Sequence, residues 1–308
     1  MAENTLFDTV IVGGGLAGYG AALYAGRFKM KSVILSKDTG GTINWAHVVD
    51  NYPGIPNIEG IDLADKIKEH ALKFGTGLKL EEVENLKKEG ENFRIKTNKA
   101  EYLTRTVIIV TGRERKKLGI PGEEELHGNG VHTCAICDAF LYKGKNVAVV
   151  GGSDSAAKEA LVLSEHAKKV YIIYRREKIR AEPTLYEMVT KTENIEIINN
   201  TNVTQAKGEG RLSHVILDNP YNGSNELPLD GLFIDVGYVP LNELARTIGV
   251  KENPKGEIVV DKMNRTNVDG VFAAGDVTDI EFKQAITSVA EGAKAAYMAF
   301  NHLNTKSS

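Results

Sequence analysis

The fold of this chain can be inferred from one stretch, DTVIVGGGLAGYGAALYAGRF, residues 8 to 28. Its apolar start predicts a short, fully buried strand, and its alanine-rich end predicts a helix. Gly13, Gly15 and Gly18 lie between them with the spacing G-x-G-x-x-G. The first glycine makes a tight turn, the second lets a pyrophosphate approach the backbone, and the third lets helix and strand pack closely. The stretch therefore predicts a dinucleotide-binding βαβ unit.

A second stretch, NVAVVGGSDSAAKEALVLSEHA at residues 146 to 167, repeats this design. Aligning Gly13 with Gly151 gives an offset of 138 residues, which also carries residues 33–36 onto residues 171–174. Two βαβ units are therefore predicted, each with a second strand that ends at a matching place. Alternating strands and helices imply parallel sheets covered by helices, so we predict an α/β fold with two Rossmann-like, three-layer domains.

The remaining segments predict further strands and one long helix. NFRIKT and TRTVIIVTG are expected to complete the first sheet as antiparallel and parallel strands. IEIINNTNVTQAKGEGRLSHVIL predicts a hairpin-like pair, and GLFIDVG a strand. The last part, GVFAAGDVTDIEFKQAITSVAEGAKAAYMAFNHL, predicts a strand, a Gly-Asp turn and a long C-terminal helix.

Composition narrows the class of protein. A chain of 308 residues, 42 % of them hydrophobic, can bury a sizeable core in two domains or one large one. Its 38 basic and 41 acidic residues give a formal charge of −3, without a long run of one sign. Small molecules and proteins are therefore the expected partners, not nucleic acid or a membrane. The N-terminus lacks a signal-peptide pattern, so we expect a cytoplasmic protein.

The ends of the two second strands predict different nucleotides. Ser36-Lys37-Asp38 stands where an acidic residue would bind a ribose, so Ser36 or Asp38 would have to do so. The second loop is Gly151-x-Ser153-x-x-Ala156, and its strand ends in Tyr174-Arg175-Arg176, with Arg180 following. Guanidinium groups there suit the 2′-phosphate of NADP. The alternative is a solvated basic turn.

The first loop then needs another dinucleotide, and FAD fits. Gly275-Asp276 ends a late apolar strand, where a carboxylate could hold the ribityl hydroxyls of a flavin. Lys283-Gln284-Ala285 is expected to begin the last helix, whose positive end could face the pyrimidine side of the flavin. The alternatives are an ordinary turn or N-cap aspartate and plain helix capping.

The chain has two cysteines, Cys134 and Cys137, followed directly by Asp138. In a reducing compartment this C-x-x-C spacing favours redox chemistry over a structural disulfide. The helix dipole lowers the thiol pKa at a helix start, and Asp138 could move a proton to or from a thiolate. Metal binding by His132 and the two cysteines is the alternative, although zinc sites usually have four protein ligands and only three are present here.

The position of the cysteines adds information. Cys137 lies only 14 residues before Gly151, so the dithiol and the NADP loop must share a domain, while the flavin belongs to the other. Both the nicotinamide and the disulfide would then have to exchange electrons with the flavin. We therefore expect a hinge that presents them in turn.

The sequence resembles low-molecular-weight thioredoxin reductase along nearly the whole chain. The resemblance rests on VIVGGGLAG, GGTINWAHVVDNYPG, TGRERKKLGIPGE, GVHTCAICDAFLYKGKNVAVVGGSDSA, YRREKIRA, VGYVP and AAGDV with KQA. It implies a homodimeric FAD enzyme that passes electrons from NADPH through flavin to the dithiol and on to thioredoxin or a thioredoxin-like protein. It also implies that Cys137 faces the flavin, that Cys134 attacks the partner disulfide, and that Asp138 is the acid–base.

The resemblance further implies a split FAD domain. We expect residues 1–114 and 242–308 to form its two parts, and residues 115–241 to form an inserted NADPH domain that carries the C-x-x-C. The predicted cofactor-binding residues are Gly13, Gly15, Leu16, Ala17, Gly18, Ser36, Gly41, Thr42, Asn51, Thr111, Gly112, Gly275, Asp276, Lys283, Gln284, Ala285, Gly151, Ser153, Asp154, Ser155, Ala156, Tyr174, Arg175, Arg176, Arg180 and Gly237.

Five positions depart from the family pattern. Thr42 replaces glutamine, Ala139 glycine, Ser153 glycine, Tyr174 histidine and Lys283 arginine. Two alternatives therefore stay open: a flavin dithiol enzyme with another donor or acceptor, such as ferredoxin, NADH or oxygen, and a redox sensor without turnover. Retention of Arg175, Arg176 and Arg180 favours NADPH.

Overall fold

The computed structural model describes residues 5–46, 49 and 51–305, apart from the side chains of Trp45, Ile136 and Cys137. It divides into two compact units, residues 1–114 with 239–308 and residues 115–238. We refer to these as unit 1 and unit 2. Among the described residues, no helix is long and apolar enough to cross a membrane.

The secondary structure alternates between strands and helices. In chain order the strands are β1 Leu6–Val12, β2 Ser32–Ser36, β3 Gly77–Leu80, β4 Val83–Glu89, β5 Asn92–Thr97, β6 Glu101–Ile109, β7 Arg113–Arg115, β8 Val131–His132, β9 Asn146–Val150, β10 Lys169–Ile173, β11 Ile195–Ile198, β12 Val203–Lys207, β13 His214–Tyr221, β14 Ser224–Pro228, β15 Gly231–Ile234, β16 Tyr238–Pro240 and β17 Val271–Ala273. The α-helices are α1 Leu16–Arg27, α2 Gly60–Leu72, α3 Ala135–Asp138, α4 Asp154–Ser164, α5 Pro183–Lys191, α6 Glu243–Thr247 and α7 Ala285–Thr305.

Unit 1 is built on a mixed sheet in the order β3-β2-β1-β6-β5-β4, with β17 also paired to β6. The strands β1, β2, β3, β6 and β17 are parallel, whereas β4, β5 and β6 form an antiparallel meander. Buried residues of β1 alternate between two cores: Ile11 packs with the alanine-rich faces of α1 and α7, and Val10 and Val12 pack on the other side. This alternation follows from the period of two in a strand. The predicted strands NFRIKT and TRTVIIVTG correspond to β5 and β6.

Unit 2 is built on a parallel sheet in the order β11-β10-β9-β15-β8. Helices α4 and α5 cover one face, where Val147 and Val149 pack against Ala156 and Ala160. The antiparallel sheet β12-β13-β14 covers the other face, where Ala148 and Val150 lie in its core. A strand buried on both faces needs a continuous apolar run, which explains the sequence NVAVV. The α/β fold class with parallel sheets is confirmed.

Two details differ from the sequence expectation. The predicted hairpin-like pair is β12 with β13, while Ile195–Ile198 joins the parallel sheet instead. The last helix begins at Ala285, so Lys283 and Gln284 precede it.

The chain passes between the units through β7 and β16, which pair as a two-stranded ribbon.

Candidate active site and nucleotide loops

The glycine loop of unit 1 lies between β1 and α1. Gly13 has a φ of 122°, and a Cβ there would lie 2.3 Å from the Val110 carbonyl oxygen. A Cβ at Gly18 would lie 2.2 Å from the carbonyl oxygen of Gly13. Both positions therefore need glycine, for the turn and for the close approach of helix to strand. Gly15 is the N-cap of α1 and supplies no side-chain cap, so the first N–H groups of α1 have no side-chain acceptor from their N-cap.

The end of β2 holds this loop in place. The Ser36 hydroxyl is buried and accepts a hydrogen bond of 2.9 Å from the Gly14 N–H. The Tyr19 phenol accepts a hydrogen bond of 3.0 Å from the Gly40 N–H, and burial raises the pKa of Tyr19 to about 12. Asp38 is exposed. Of the two residues predicted for the ribose, Asp38 therefore has the more accessible side chain, while Ser36 supports the loop. Gly41 and Thr42 begin the adjoining 3-10 turn Gly41–Trp45.

The Gly-Asp turn of unit 1 follows β17. Asp276 lies in the 3-10 turn Gly275–Val277 and forms an ion pair of 2.8 Å with Arg113. The Glu291 carboxylate is buried and accepts a hydrogen bond of 2.8 Å from the Gly275 N–H. Burial raises the pKa of Glu291. Sequence reasoning missed Glu291 and Arg113, because nothing in the local pattern links them to this turn.

The residues before α7 are held by other parts of unit 1. Lys283 forms an ion pair of 3.1 Å with Glu257 and donates a hydrogen bond of 2.5 Å to the Thr278 carbonyl. The Asn51 amide donates a hydrogen bond of 3.1 Å to Gln284. The structure thus brings Asn51 and Gln284 together, whereas Lys283 is engaged with protein groups.

Thr111 and Gly112 contact the returning chain. The Thr111 hydroxyl donates a hydrogen bond of 2.5 Å to the Leu241 carbonyl, and the Gly112 carbonyl accepts one of 3.0 Å from the Leu241 N–H. Both residues therefore fix the point where the chain re-enters unit 1.

The glycine loop of unit 2 lies between β9 and α4. A Cβ at Gly151 would lie 2.2 Å from the Asp235 carbonyl oxygen, which requires glycine as at Gly13. Ser153 is the N-cap of α4, and its hydroxyl accepts a hydrogen bond of 3.4 Å from the Ala156 N–H. The Asp154 carboxylate accepts one of 2.7 Å from the Glu182 N–H. Polar side chains thus occupy part of this helix start, unlike that of α1.

The segment that follows β10 contains one buried side chain, Tyr174, and three exposed arginines. The Tyr174 ring is buried and lies on Gly152, where a Cβ would come within 2.4 Å of it. The side chains of Arg175, Arg176 and Arg180 are exposed, while the Arg180 N–H donates a hydrogen bond of 2.6 Å to the Gly152 carbonyl. The basic turn is therefore tied to the loop by its backbone and free to reach an anion with its guanidinium groups. At the other end of the unit, Gly237 accepts a hydrogen bond from Lys116 N–H at 2.8 Å.

The cysteine segment runs from β8 into α3. Cys134 is half-buried and disulfide-bonded, and the side chain of Cys137 lies outside the described part of the structure. Asp138 Oδ2 lies 2.8 Å from His132 Nδ1, and Tyr142 Oη lies 2.6 Å from His132 Nε2. Both ring nitrogens of His132 are therefore engaged, which opposes the metal alternative at this residue. Among the described residues, no group of three His, Cys, Asp or Glu side chains is placed to hold a metal ion.

A buried ion pair lies behind the cysteine helix. Glu159 of α4 is 2.8 Å from Arg115, and its carboxyl group accepts a hydrogen bond from the Ala135 N–H at the start of α3. Burial, opposed by Arg115, raises the pKa of Glu159 to about 7. The sequence did not identify Glu159, since a glutamate within a helix has no distinctive spacing.

Comparisons with known proteins agree with this geometry. Residues 7–292 match the family model described as pyridine nucleotide-disulphide oxidoreductase. The thioredoxin reductase of Treponema pallidum is 38 % identical over 98 % of this chain and 99 % of its own. The solved thioredoxin reductase of Lactococcus lactis has a TM-score of 0.91 and 35 % identity, with 97 % of this chain and 99 % of its own covered. That of T. acidophilum has a TM-score of 0.88 and 39 % identity, with the same coverage.

Proposed function

Since the chain belongs to the pyridine nucleotide-disulphide oxidoreductase family, we propose that it is a thioredoxin-disulfide reductase that takes electrons from NADPH. The disulfide-bonded Cys134 is the observation that carries this function, because it lies in unit 2 together with Asp138 and a nucleotide loop beside exposed arginines. The relative from Treponema pallidum and the two solved neighbours described above, each similar over nearly the whole chain, are thioredoxin reductases. Thioredoxin, or a thioredoxin-like protein, is thus the proposed substrate.

Unit 1 fits FAD by its cradle of glycines. Nothing larger than glycine fits at Gly13 or Gly18, and the uncapped start of α1 offers N–H groups to a pyrophosphate. Asp38 would bind the ribose and Asp276 the ribityl hydroxyls, once Arg113 shares or releases the Asp276 carboxylate. When bound, FAD supplies a two-electron carrier between nicotinamide and disulfide.

Unit 2 supplies the substrate chemistry. Cys134 attacks the disulfide of the substrate, Cys137 closes the disulfide with Cys134, and Asp138 moves protons between thiols and thiolates. Overall, NADPH and one proton reduce one substrate disulfide to two thiols and yield NADP⁺. A homodimer stays a prediction from the resemblance, and a cytoplasmic location stays a prediction from the sequence.

NADPH is proposed over NADH because of the three exposed arginines. Arg175, Arg176 and Arg180 lie at the place where the 2′-phosphate would sit. Tyr174 is buried and Ser153 caps its own helix, so neither departure from the family pattern blocks this surface. The proposed specificity thus depends on three exposed side chains that form no ion pair with the described residues.

Anaerobic titration of the flavin-loaded protein with NADPH and then NADH tests this function. We expect NADPH to bleach the flavin at far lower concentration than NADH, and oxidised thioredoxin to restore the colour. In the double variant Arg175→Ala with Arg176→Ala, the KM for NADPH should rise roughly 10- to 100-fold, because charge-assisted hydrogen bonds contribute about 1.5–3 kcal/mol. The KM for NADH should stay unchanged.

Lys178→Ala is the matched control, since Lys178 is an exposed cation on the same turn that lies over the Tyr186 ring. It should leave the preference for NADPH intact. Failure of both nucleotides to bleach the flavin would exclude a nicotinamide donor and favour ferredoxin or another donor.

A further inference from the structure

His132 links the dithiol segment to two other polar side chains of unit 2. Its Nδ1 lies 2.8 Å from Asp138 and its Nε2 lies 2.6 Å from the Tyr142 hydroxyl. The positive charge of Arg211 lies near the same phenol and opposes the rise in its pKa that burial causes. Three side chains, Tyr142, His132 and Asp138, therefore form one hydrogen-bonded chain that ends directly beside the cysteines.

The direction of this chain follows from which groups can donate. An ionised carboxylate only accepts, so the N–H on His132 Nδ1 donates to Asp138 Oδ2. In a neutral imidazole His132 Nε2 is then an acceptor, and the Tyr142 O–H donates to it. Tyr142 thus supports the tautomer that offers Asp138 a hydrogen bond.

Packing holds the imidazole rigidly. His132 is buried in β8, its ring stacks on Phe233 with centroids 5.3 Å apart, and the Tyr142 ring meets it edge-on at 5.4 Å. Gly231 leaves the space that the Tyr142 ring occupies, because a Cβ there would come within 2.5 Å of it. The orientation of His132 is therefore set by its hydrogen bonds and by packing against Phe233 and Tyr142.

Burial favours the neutral form of His132. Burial lowers its pKa, and this effect outweighs the attraction of Asp138; His127 and Arg211 also oppose a positive charge. On the side of Tyr142 the other nearby charges are Arg211, Asp138 and Asp230. A neutral imidazole donates one hydrogen bond without cancelling the charge of the carboxylate it binds.

We propose that His132 is a positioning residue for proton transfer at the dithiol, which acts through Asp138. The His132 N–H binds Oδ2 of Asp138, so that Oδ1 is the oxygen presented to the thiols. In the step concerned, the dithiol gives up two electrons and two protons as its disulfide closes, while the substrate S–S bond breaks and its two sulfurs gain those electrons and protons. Asp138 carries protons between these sulfurs. This proposal rests on the proposed function, whose dithiol chemistry it refines.

Two substitutions of His132 separate positioning from packing. In His132→Asn the introduced amide nitrogen can occupy the place of Nδ1 and still donate to Asp138, whereas the amide of His132→Gln reaches only the place of Nε2, beside Tyr142. We therefore expect His132→Gln to slow the dithiol step roughly 10-fold, a fraction of the 10²–10⁴ that acid–base catalysis contributes. The acid limb of its rate–pH profile should move to higher pH by about one unit. His132→Asn should stay within about threefold of the wild type at every pH.

The measurement is a single turnover of enzyme whose dithiol has been reduced beforehand with dithiothreitol. The rate is followed across pH with oxidised thioredoxin and, separately, with oxidised glutathione, whose alkyl thiolate needs a proton on leaving. No NADPH is present. If glutathione shows the expected dependence and thioredoxin is not reduced, the proposed substrate is wrong and the role of His132 stands.

Asp138→Asn completes the test through a double-mutant cycle. In the Asp138→Asn background, His132→Gln should change the rate less than about twofold, because its route of action is gone. His127→Gln, which alters an exposed histidine nearby, should match the wild type. Equal slowing by His132→Asn and His132→Gln, or undiminished slowing by His132→Gln in the Asp138→Asn background, would overturn the proposal.

Discussion

The glycine loops of the two units share a backbone and differ in side chains. The N-cap residues, Gly15 and Ser153, both have a φ of −92°, with ψ values of −172° and 176°. Gly13 and Gly151 each lie against the carbonyl oxygen of the residue that follows a strand, Val110 after β6 and Asp235 after β15. The same turn is therefore built twice, and any difference in the nucleotide bound must come from side chains around it.

Those side chains differ at two places. In unit 1 the N-cap is glycine, and Ser36 at the end of β2 turns inward to bind the loop. In unit 2 the N-cap is a serine that binds its own helix, and β10 is followed by exposed arginines. The backbone thus provides for a dinucleotide in general, while the N-cap and the strand end determine which one binds.

The largest effect is expected from adding one methyl group to the first loop. Gly18→Ala would place a Cβ 2.2 Å from the Gly13 carbonyl oxygen, a backbone atom that cannot move without opening the turn. We expect a loss of about 3 kcal/mol or more in unfolding free energy and purification without bound FAD. The ratio of flavin absorbance to protein absorbance measures the bound FAD, and the midpoint of urea unfolding measures the loss of stability.

The equivalent position of unit 2 serves as its control. Ala156 already carries a Cβ, so Ala156→Gly should keep nucleotide binding and cost only about 1 kcal/mol in helix propensity. Stoichiometric FAD in Gly18→Ala would show that the two loops are not constrained alike.

Each unit also contains a buried carboxylate, and the two differ in their partners and in their effect on the pH dependence of stability. Glu291 in unit 1 binds a backbone N–H, whereas Glu159 in unit 2 is paired with Arg115 and has a pKa of about 7. Between pH 4.5, its ordinary pKa, and about pH 7, the folded state keeps a proton that the unfolded state has lost. The contribution of Glu159 to stability therefore falls as pH rises through this window, by up to about 3 kcal/mol.

Glu159→Gln should remove this pH dependence. Hydrogen exchange of the β9 amides between pH 5 and pH 8, corrected for intrinsic exchange rates, reports the stability of unit 2. The wild type should lose protection with rising pH more steeply than Glu159→Gln, and Glu165→Gln, exposed at the end of α4, should follow the wild type. Parallel curves for wild type and Glu159→Gln would contradict the raised pKa.

Features with local periodicity could be predicted from the sequence. The apolar runs before Gly13 and Gly151 and the arginines after β10 depend on neighbouring residues alone. The 138-residue repeat compares two such local patterns, and the α/β class follows from them. The last helix starts at Ala285, two residues later than the sequence predicts, and Lys283 before it pairs with Glu257, which local sequence does not reveal.

Partners distant in sequence could not be predicted. Thr111 binds Leu241, 130 residues away, and Glu291 binds the turn at Gly275. His132 was considered as a metal ligand and not as the partner of Asp138, six residues away, because no spacing rule distinguishes the two roles. Such contacts depend on which strands become neighbours, which local patterns leave open.

The smallest expected effect comes from exchanging the two N-caps, and it tests the comparison most directly. Ser153→Gly frees the Ala156 N–H for a phosphate oxygen, so the KM for NADPH should fall about two- to threefold, while helix capping loses a few tenths of a kcal/mol. Gly15→Ser is the reciprocal change, and it is sterically allowed because the nearest atom to a Cβ there is 3.6 Å away. By competing for the start of α1, it should raise the dissociation constant of FAD by a similar factor. If Ser153→Gly instead raises the KM for NADPH, the serine contacts the nucleotide itself, and the two loops bind their pyrophosphates in different ways.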